Sequence, residues 1–487
     1  LLVLSPFKKR LFRRKKRLDM EIRKNSIIEL KIDTLTYGGR GMGKYNSLVT
    51  FVPLTVPGDV VSARVVTKKP NYMEAELVEV QEASPMRTPP RCPLFGTCGG
   101  CSWQNIPYEK QILFKEEIAR SSLEHIAQQN TFRLHPIVPS PTQWRYRNKM
   151  DYTFGRDNEG NTILGFHKPG SFYEILDVRE CHLQPEAFDT LLGEMRRYAR
   201  EKRLVPYDPQ THQGHLRHVI LRSAGEAESG SPASVLAVLL TAEEDLPDRE
   251  ELLKRLQSRC PTLKGFIHGR NPGKADIAQM DRIFFQWGED YITENVCDLK
   301  IRISAFSFFQ TNTKAAECLY GKTRDFLCLT GKESLLDAYC GIGCIGLMCA
   351  RGAKWAYGIE IVKEAVWDAR LNAASNNLPN CLFLSGEFRK RIPILMHRFP
   401  HGFQRVVVDP PRGGLDKKSL RELVGLKAPL LVYVSCNPTT FARDADVICR
   451  AGYSLTDLQP VDMFPQTFHI ELVARFEFTP LLSSPKS

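Results

Sequence analysis

The chain has 487 residues, of which 43% are hydrophobic and 25% charged, enough for about three domains that bury their own cores. No apolar run approaches the roughly 18 residues of a membrane-spanning helix, and a small disulfide-stapled scaffold is excluded by length. Lys and Arg number 67 against 55 Asp and Glu, a net charge of +12.

Much of that charge sits at the start. Residues 1–24 form a basic arm with ten Lys or Arg against Asp19 and Glu21, and Lys8 to Arg17 holds eight basic residues in ten. Such an arm attracts phosphate backbones. A solvated arm read from an upstream start codon is the alternative, because the chain opens at Leu1 and its first methionine is Met20. The charged stretch is not followed by the apolar core of a signal peptide, so a cytoplasmic protein is expected. The fourteen cysteines then belong to a reducing compartment, where they serve chemistry rather than a disulfide framework.

Residues 25–85 read as a small OB-like β-barrel. Apolar alternation predicts strands over Ile27–Tyr37, Leu48–Leu54, Val60–Lys68 and Tyr72–Val80, with a turn-rich break at Gly38–Gly43. Barrels of this kind often bind single-stranded nucleic acid. A Pro-rich break at Ser84–Pro90 follows, then a cysteine group and a helical stretch from Tyr108 to Gln128. Residues 86–305 mix strands, such as Lys149–Phe154, with helices as a central α+β domain. From 306 to 487 the pattern turns to β then α units, with strands at Ser334–Tyr339, Trp355–Ile359, Arg405–Val408, Leu430–Ser435 and Ile470–Phe478. That alternation predicts a Rossmann-like α/β domain with a mostly parallel sheet.

In this last domain the strand Leu335–Tyr339 runs into Gly341-Ile342-Gly343 and then a helix, while Glu360 ends the next strand 19 residues after Gly341. Glycines permit a tight turn and close ligand approach. A carboxylate at Glu360 suits both hydroxyls of a ribose. Read as a string, Gly341-x-Gly343-x-x-Gly346 is also a dinucleotide fingerprint, so a nicotinamide oxidoreductase is a rival. Asp337 beside the turn repels a pyrophosphate and attracts a cation, which favours S-adenosylmethionine.

Asp409-Pro410-Pro411-Arg412 follows the strand Val406–Val408 and places Asp409 at the carboxyl edge, where open sheets bind ligands; the prolines fix the chain there. Cys436, in Ser435-Cys436-Asn437-Pro438, ends the strand Leu430–Ser435 at the same edge. Carbon 5 of uracil is a poor nucleophile until a thiolate adds at carbon 6, and that chemistry needs a cysteine. A base must then remove the carbon 5 proton. Glu471, among apolar residues, is the first candidate, and His469 competes for the role.

Cys92-x5-Cys98-Gly-Gly-Cys101 groups three thiolates in one loop, and Cys181 is the nearest remaining cysteine, with His182 as its substitute. Thiolate count alone suits zinc. The spacing departs from zinc-finger patterns and favours a cubane iron–sulfur (4Fe-4S) cluster.

Taken together, the residues resemble the RNA uracil-5-methyltransferase family that carries an N-terminal TRAM domain and a cubane iron–sulfur cluster. The resemblance rests on Cys92, Cys98, Cys101 and Cys181, on Ser307-Phe308-Phe309-Gln310-Thr311-Asn312, on Asp337–Gly343, on Asp409-Pro410-Pro411-Arg412, on Ser435–Pro438, and on Asp462-Met463-Phe464-Pro465 ahead of Glu471. It implies that Gln310, Tyr339, Glu360 and Asp409 contact S-adenosylmethionine, that Cys436 is the nucleophile and Glu471 the base. It also places Phe308 near the target base. Cys344 departs from the family's usual Asn, and Ser385-Gly386-Glu387 from its usual Asn or Asp contact to adenine. The implied partner is RNA, with large-subunit (23S) ribosomal RNA favoured over tRNA, no membrane and no obligate protein partner. The arm, the barrel and Arg145, Arg147 and Lys149 are candidate phosphate contacts. A non-catalytic RNA-binding iron–sulfur protein is the reading from another class.

Overall fold

The computed structural model describes residues 22–479 apart from 128, 130, 227–231, 244, 245 and 400. The run Lys8–Arg17 lies outside the described residues. The chain divides into two compact units, residues up to 89 with 105–107, and residues 90–104 with 108–487.

The first unit is a closed barrel of strands β1 (Ile27–Leu35), β2 (Arg40–Tyr45), β3 (Leu48–Pro53), β4 (Val60–Lys68) and β5 (Tyr72–Glu82), in the order β1-β2-β3-β5-β4. Alternation sends Ile28, Leu30 and Ile32 inward, onto Val52, Val61, Val65 and Met73. The glycine-rich break expected at Gly38–Gly43 is mostly strand. Only Gly38 and Gly39 make the turn, with φ of 99° and 78°. At Gly43 an added Cβ would stand 2.0 Å from the Lys31 carbonyl oxygen, so this glycine serves close approach within a strand rather than a turn.

In the second unit, helix α1 (Tyr108–Ser122) runs into a π-helical turn at Leu123–Ala127 and then the short strand β6 (Arg133–Leu134). A seven-stranded sheet follows, formed by β7 (Lys149–Arg156), β8 (Thr162–His167), β9 (Ile175–Asp177), β10 (Leu216–Glu226), β11 (Pro232–Thr241), β12 (Leu263–Arg270) and β13 (Arg282–Gly288), in the order β13-β12-β11-β10-β7-β8-β9. Helices α2 (Glu186–Glu201) and α3 (Arg249–Arg259) cover one face through Phe188, Leu191, Leu252 and Leu256. The other face, with Ile220, Leu236 and Val238, joins the hairpin β14 (Tyr291–Val296) and β15 (Leu299–Ser304) in the same core as the last sheet.

That last sheet has eight strands. Helix α4 (Thr313–Leu327) leads into β16 (Ser334–Ala338), α5 (Cys344–Ala350), β17 (Trp355–Glu360), α6 (Lys363–Ser375), β18 (Cys381–Ser385), α7 (Phe388–Arg398), β19 (Arg405–Val408), α8 (Lys417–Gly425), β20 (Leu430–Ser435), α9 (Pro438–Arg450), β21 (Tyr453–Val461) and β22 (Glu471–Phe478). The order is β18-β17-β16-β19-β20-β22-β21-β6, with β22 antiparallel between β20 and β21. Alternate residues of β20 enter different cores, Val432 and Val434 one and Leu431 and Tyr433 the other, which is why the strand reads as an unbroken apolar run. Strand β6 pairs with β21 through Leu134 and Leu458, so residues ahead of the central sheet complete this one. No described helix is long and apolar enough to cross a membrane.

Candidate active site

Strands β17, β16 and β19 are parallel and end level. Ala338 pairs with both Ile359 and Val408, so the next residues, Glu360, Tyr339 and Asp409, stand in a row at the carboxyl edge. The chain reverses direction across the sheet between β16 and β19, the switch point where such sheets open a crevice. Tyr339 adopts φ of 64°, and Gly341 and Gly343 are also left-handed at 54° and 88°. The turn is tied down by the predicted carboxylate: Glu360 Oε2 accepts from Gly341 N–H at 3.1 Å and Oε1 from Val362 N–H at 2.8 Å. Asp337 is wholly buried and accepts from Gly346 N–H at 2.8 Å. Burial, with Asp409 and Glu360 nearby, pushes its carboxyl up to about 8. Through Gly346 it fixes the start of α5.

Gln310 is buried in the loop before α4, its carbonyl accepting from Asn148 Nδ2 at 3.1 Å. The same loop is gripped by Ser307 Oγ donating to Asp368 at 2.7 Å and by Arg222, which donates to the carbonyls of Ala305 and Ser307. Asn312 caps α4 by accepting from Ala315 N–H and donates to the Met463 carbonyl at 2.9 Å. Held at both ends, the loop leaves Phe308 67% exposed while Phe309 is buried.

On the other side, Ser435 pairs with Leu472. One step further along that antiparallel register, Cys436 lies opposite Glu471. Burial pushes the Cys436 thiol up to about 12, with Glu471 and Asp409 adding to the rise. Burial and Asp409 likewise raise Glu471 well above the usual carboxylate range. Arg412 opposes both shifts, and its guanidinium lies 3.3 Å from His469 Nε2. Burial first, then Arg412, lowers His469 to about 4, so its ring is neutral at pH 7. The structure thus brings Cys436, Glu471, His469 and Asp409 to one edge.

The family model described as tRNA (uracil-5-)-methyltransferase matches residues 276–475, and that of the TRAM domain residues 23–78. An uncharacterized RNA methyltransferase of Halalkalibacterium halodurans is 38% identical over 94% of this chain and 98% of its own length. The chain belongs to the RNA uracil-5-methyltransferase family. A similar protein from Caldanaerobacter subterraneus, also an uncharacterized RNA methyltransferase, is 37% identical over 93% of this chain and 99% of its own. Among solved structures, the tRNA (uracil-54, C5)-methyltransferase of Pyrococcus abyssi, in complex with S-adenosyl-L-homocysteine, is 26% identical with a TM-score of 0.71, covering 92% of this chain and 100% of its own.

This member of the family also gathers its four predicted cysteines. Cys92, Cys98, Cys101 and Cys181 line one cavity of about 340 Å³, together with Arg147 and His182. Burial raises the free thiols of Cys101 to about 12 and Cys181 to about 11. Among the described residues no three Cys, His, Asp or Glu side chains are grouped to hold a metal ion. The four thiols thus surround a space instead of converging on a point.

Arg145 is not free for phosphate. It donates to the carbonyls of Cys181 and Gln184 at 2.9 and 3.0 Å and pairs with Asp189 and Glu180, both at 3.0 Å, so its charge is spent on the loop that carries Cys181. Lys149 is paired with Asp151 at 2.8 Å. The residue that sequence reasoning missed is Lys115, which forms a wholly buried ion pair at 2.6 Å with Asp462, the first residue of the motif ahead of Glu471. Lys115 also donates to the Phe464 carbonyl at 3.0 Å, fixing the loop ahead of Glu471. No local signal marks a pair 347 residues apart.

Proposed function

We propose that the protein transfers a methyl group from S-adenosylmethionine to carbon 5 of a uridine in RNA through a covalent adduct on Cys436. The observation that carries this reading is the register placing Cys436 opposite Glu471, on the edge that ends in Glu360, Tyr339 and Asp409. Gln310, Tyr339, Glu360 and Asp409 hold S-adenosylmethionine, which supplies the methyl group. The Cys436 thiolate forms a bond to carbon 6, carbon 5 takes the methyl group and S-adenosylhomocysteine leaves. Glu471 then accepts the carbon 5 proton, the carbon 6–sulfur bond breaks and the thiolate is returned. Arg412 stabilises the anions that alternate between sulfur and carboxylate. Exposed Phe308 offers a ring against which an extruded base stacks.

The four cysteine thiolates hold an iron–sulfur cluster, because their arrangement around a cavity suits a polynuclear group better than one ion. Anaerobically purified protein should contain about four irons per chain, and stoichiometric zinc in their place would overturn the assignment. The decisive experiment on the chemistry uses two variants. Cys436→Ala should form neither adduct nor product. Glu471→Gln should transfer the methyl group once and stay joined to its RNA, giving a slow band on a denaturing gel that carries label from the donor. If His469→Ala accumulates that band instead, the base is His469. Mapping 5-methyluridine in 23S rRNA and in tRNA of a deletion strain separates the ribosomal substrate expected from sequence from a tRNA, the substrate named for the Pyrococcus enzyme.

A further inference from the structure

The loop that leads to Glu471 contains a strained residue. Gln466 has φ of 68°, a left-handed conformation that a residue with a side chain keeps only when its surroundings over-determine it. Those surroundings come from the cysteine loop and α1. Gln466 N–H donates to Gln111 Oε1 at 2.9 Å, and Gln111 Nε2 donates to Gln466 Oε1 at 3.0 Å. The Gln466 carbonyl accepts from the N–H groups of Ser102 and Trp103, each at 3.0 Å, and Phe468 N–H donates to Ser102 Oγ at 3.0 Å. Gln111 Nε2 also donates to the Trp103 carbonyl at 3.0 Å, and Trp103 is wholly buried. Ser102 and Trp103 directly follow Cys101 in the chain.

We infer that Ser102 is a positioning residue for Glu471, and that the four-cysteine site acts on the reaction through it. Ordering the loop of Cys92, Cys98 and Cys101 presents Ser102 and Trp103 to Gln466, which holds Gln466 left-handed and sets the direction of residues 467–471. The Ser102 hydroxyl carries that hold one step further by accepting from Phe468 N–H; without it residues 467–471 lose their direction, and Glu471 turns away from the position opposite Cys436. The coupling is one of position, and no electron passes between the two sites. This inference rests on the reading of Glu471 as the base.

The test uses full-length protein purified with its metal, as Ser102→Ala, Ser102→Thr and Glu471→Gln. A misplaced base slows release of the product without slowing methyl transfer. Ser102→Ala should therefore accumulate the labelled RNA adduct and release it about tenfold to a hundredfold more slowly, while Ser102→Thr, which keeps the hydroxyl, restores release. Amide hydrogen exchange over residues 464–471 should quicken in Ser102→Ala, and equally in unsubstituted protein stripped of metal by a chelator. Release at the unsubstituted rate with unchanged exchange would overturn the inference, as would equal slowing of adduct formation and release, the mark of a general structural defect. If Glu471→Gln itself traps no adduct, it is the assignment of the base that falls, and the exchange measurement still decides whether the two loops are coupled.

Discussion

Asp409 shows how one carboxyl can be read in solution. Burial raises it to about 7, so below that pH it is protonated in the free protein. A ligand bearing a sulfonium cation favours the ionised form and must displace that proton, whereas the neutral thioether of S-adenosylhomocysteine gains nothing from ionisation. Affinity for S-adenosylmethionine, relative to S-adenosylhomocysteine, should rise as pH increases from 6 to about 7 and then level off, by up to tenfold per pH unit. Calorimetric titration of both ligands checks it; a flat ratio, or the same slope in Asp409→Asn, would place the carboxyl away from the sulfonium. The place of Asp409, Cys436 and Glu471 at one sheet edge was legible because each follows or begins an apolar strand, and a strand end fixes a sheet edge. The burial of Asp337 was not legible, since its hydrogen bond to Gly346 depends on how the helix after the glycine turn packs against its strand. Arg145 misled for a similar reason: charge is visible in a sequence, and its partners Asp189 and Glu180 are not.

At the scale of elements, the loop between β21 and β22 depends on α1. Lys115 of α1 and Asp462 of the loop are both fully buried, so removing one strands the other in an apolar interior. Lys115→Met should cost about 3–5 kcal/mol, measured by denaturant unfolding. The double variant Lys115→Met with Asp462→Asn should recover part of that loss, because no unpaired charge remains. Equal losses in the single and double variants would show that packing of the Lys115 stem, not charge, decides the site. The strands named from sequence all alternate or run apolar, but the rule did not find every such strand: β14 and β15 alternate as strictly and were not named. Cys381–Ser385, no shorter than Ser334–Ala338, went unnamed, and Arg40–Tyr45 escaped because its glycines imitate a turn while serving contact with β1.

For the whole molecule, charge is the property that sequence states most directly. Residues 1–24 carry ten of the 67 basic residues, and counterion release makes RNA affinity fall with salt in proportion to the phosphates neutralised. Deleting residues 1–17 should flatten the plot of log affinity against log salt; an unchanged slope would make the arm a bystander. The strand β6 has a different consequence, one of time. His135, next to β6, meets Asp457 at 2.8 Å across 322 residues of chain, and β6 itself finds its only sheet partner among the described residues in β21. Contacts so far apart in sequence form slowly, since the loop they close must first lose its freedom. During synthesis, therefore, α1 and β6 emerge early and wait while the central sheet, the hairpin and five parallel strands are made. The segment that links the cysteine loop to the methyltransferase sheet leaves the ribosome long before β21 and is among the last to find its place.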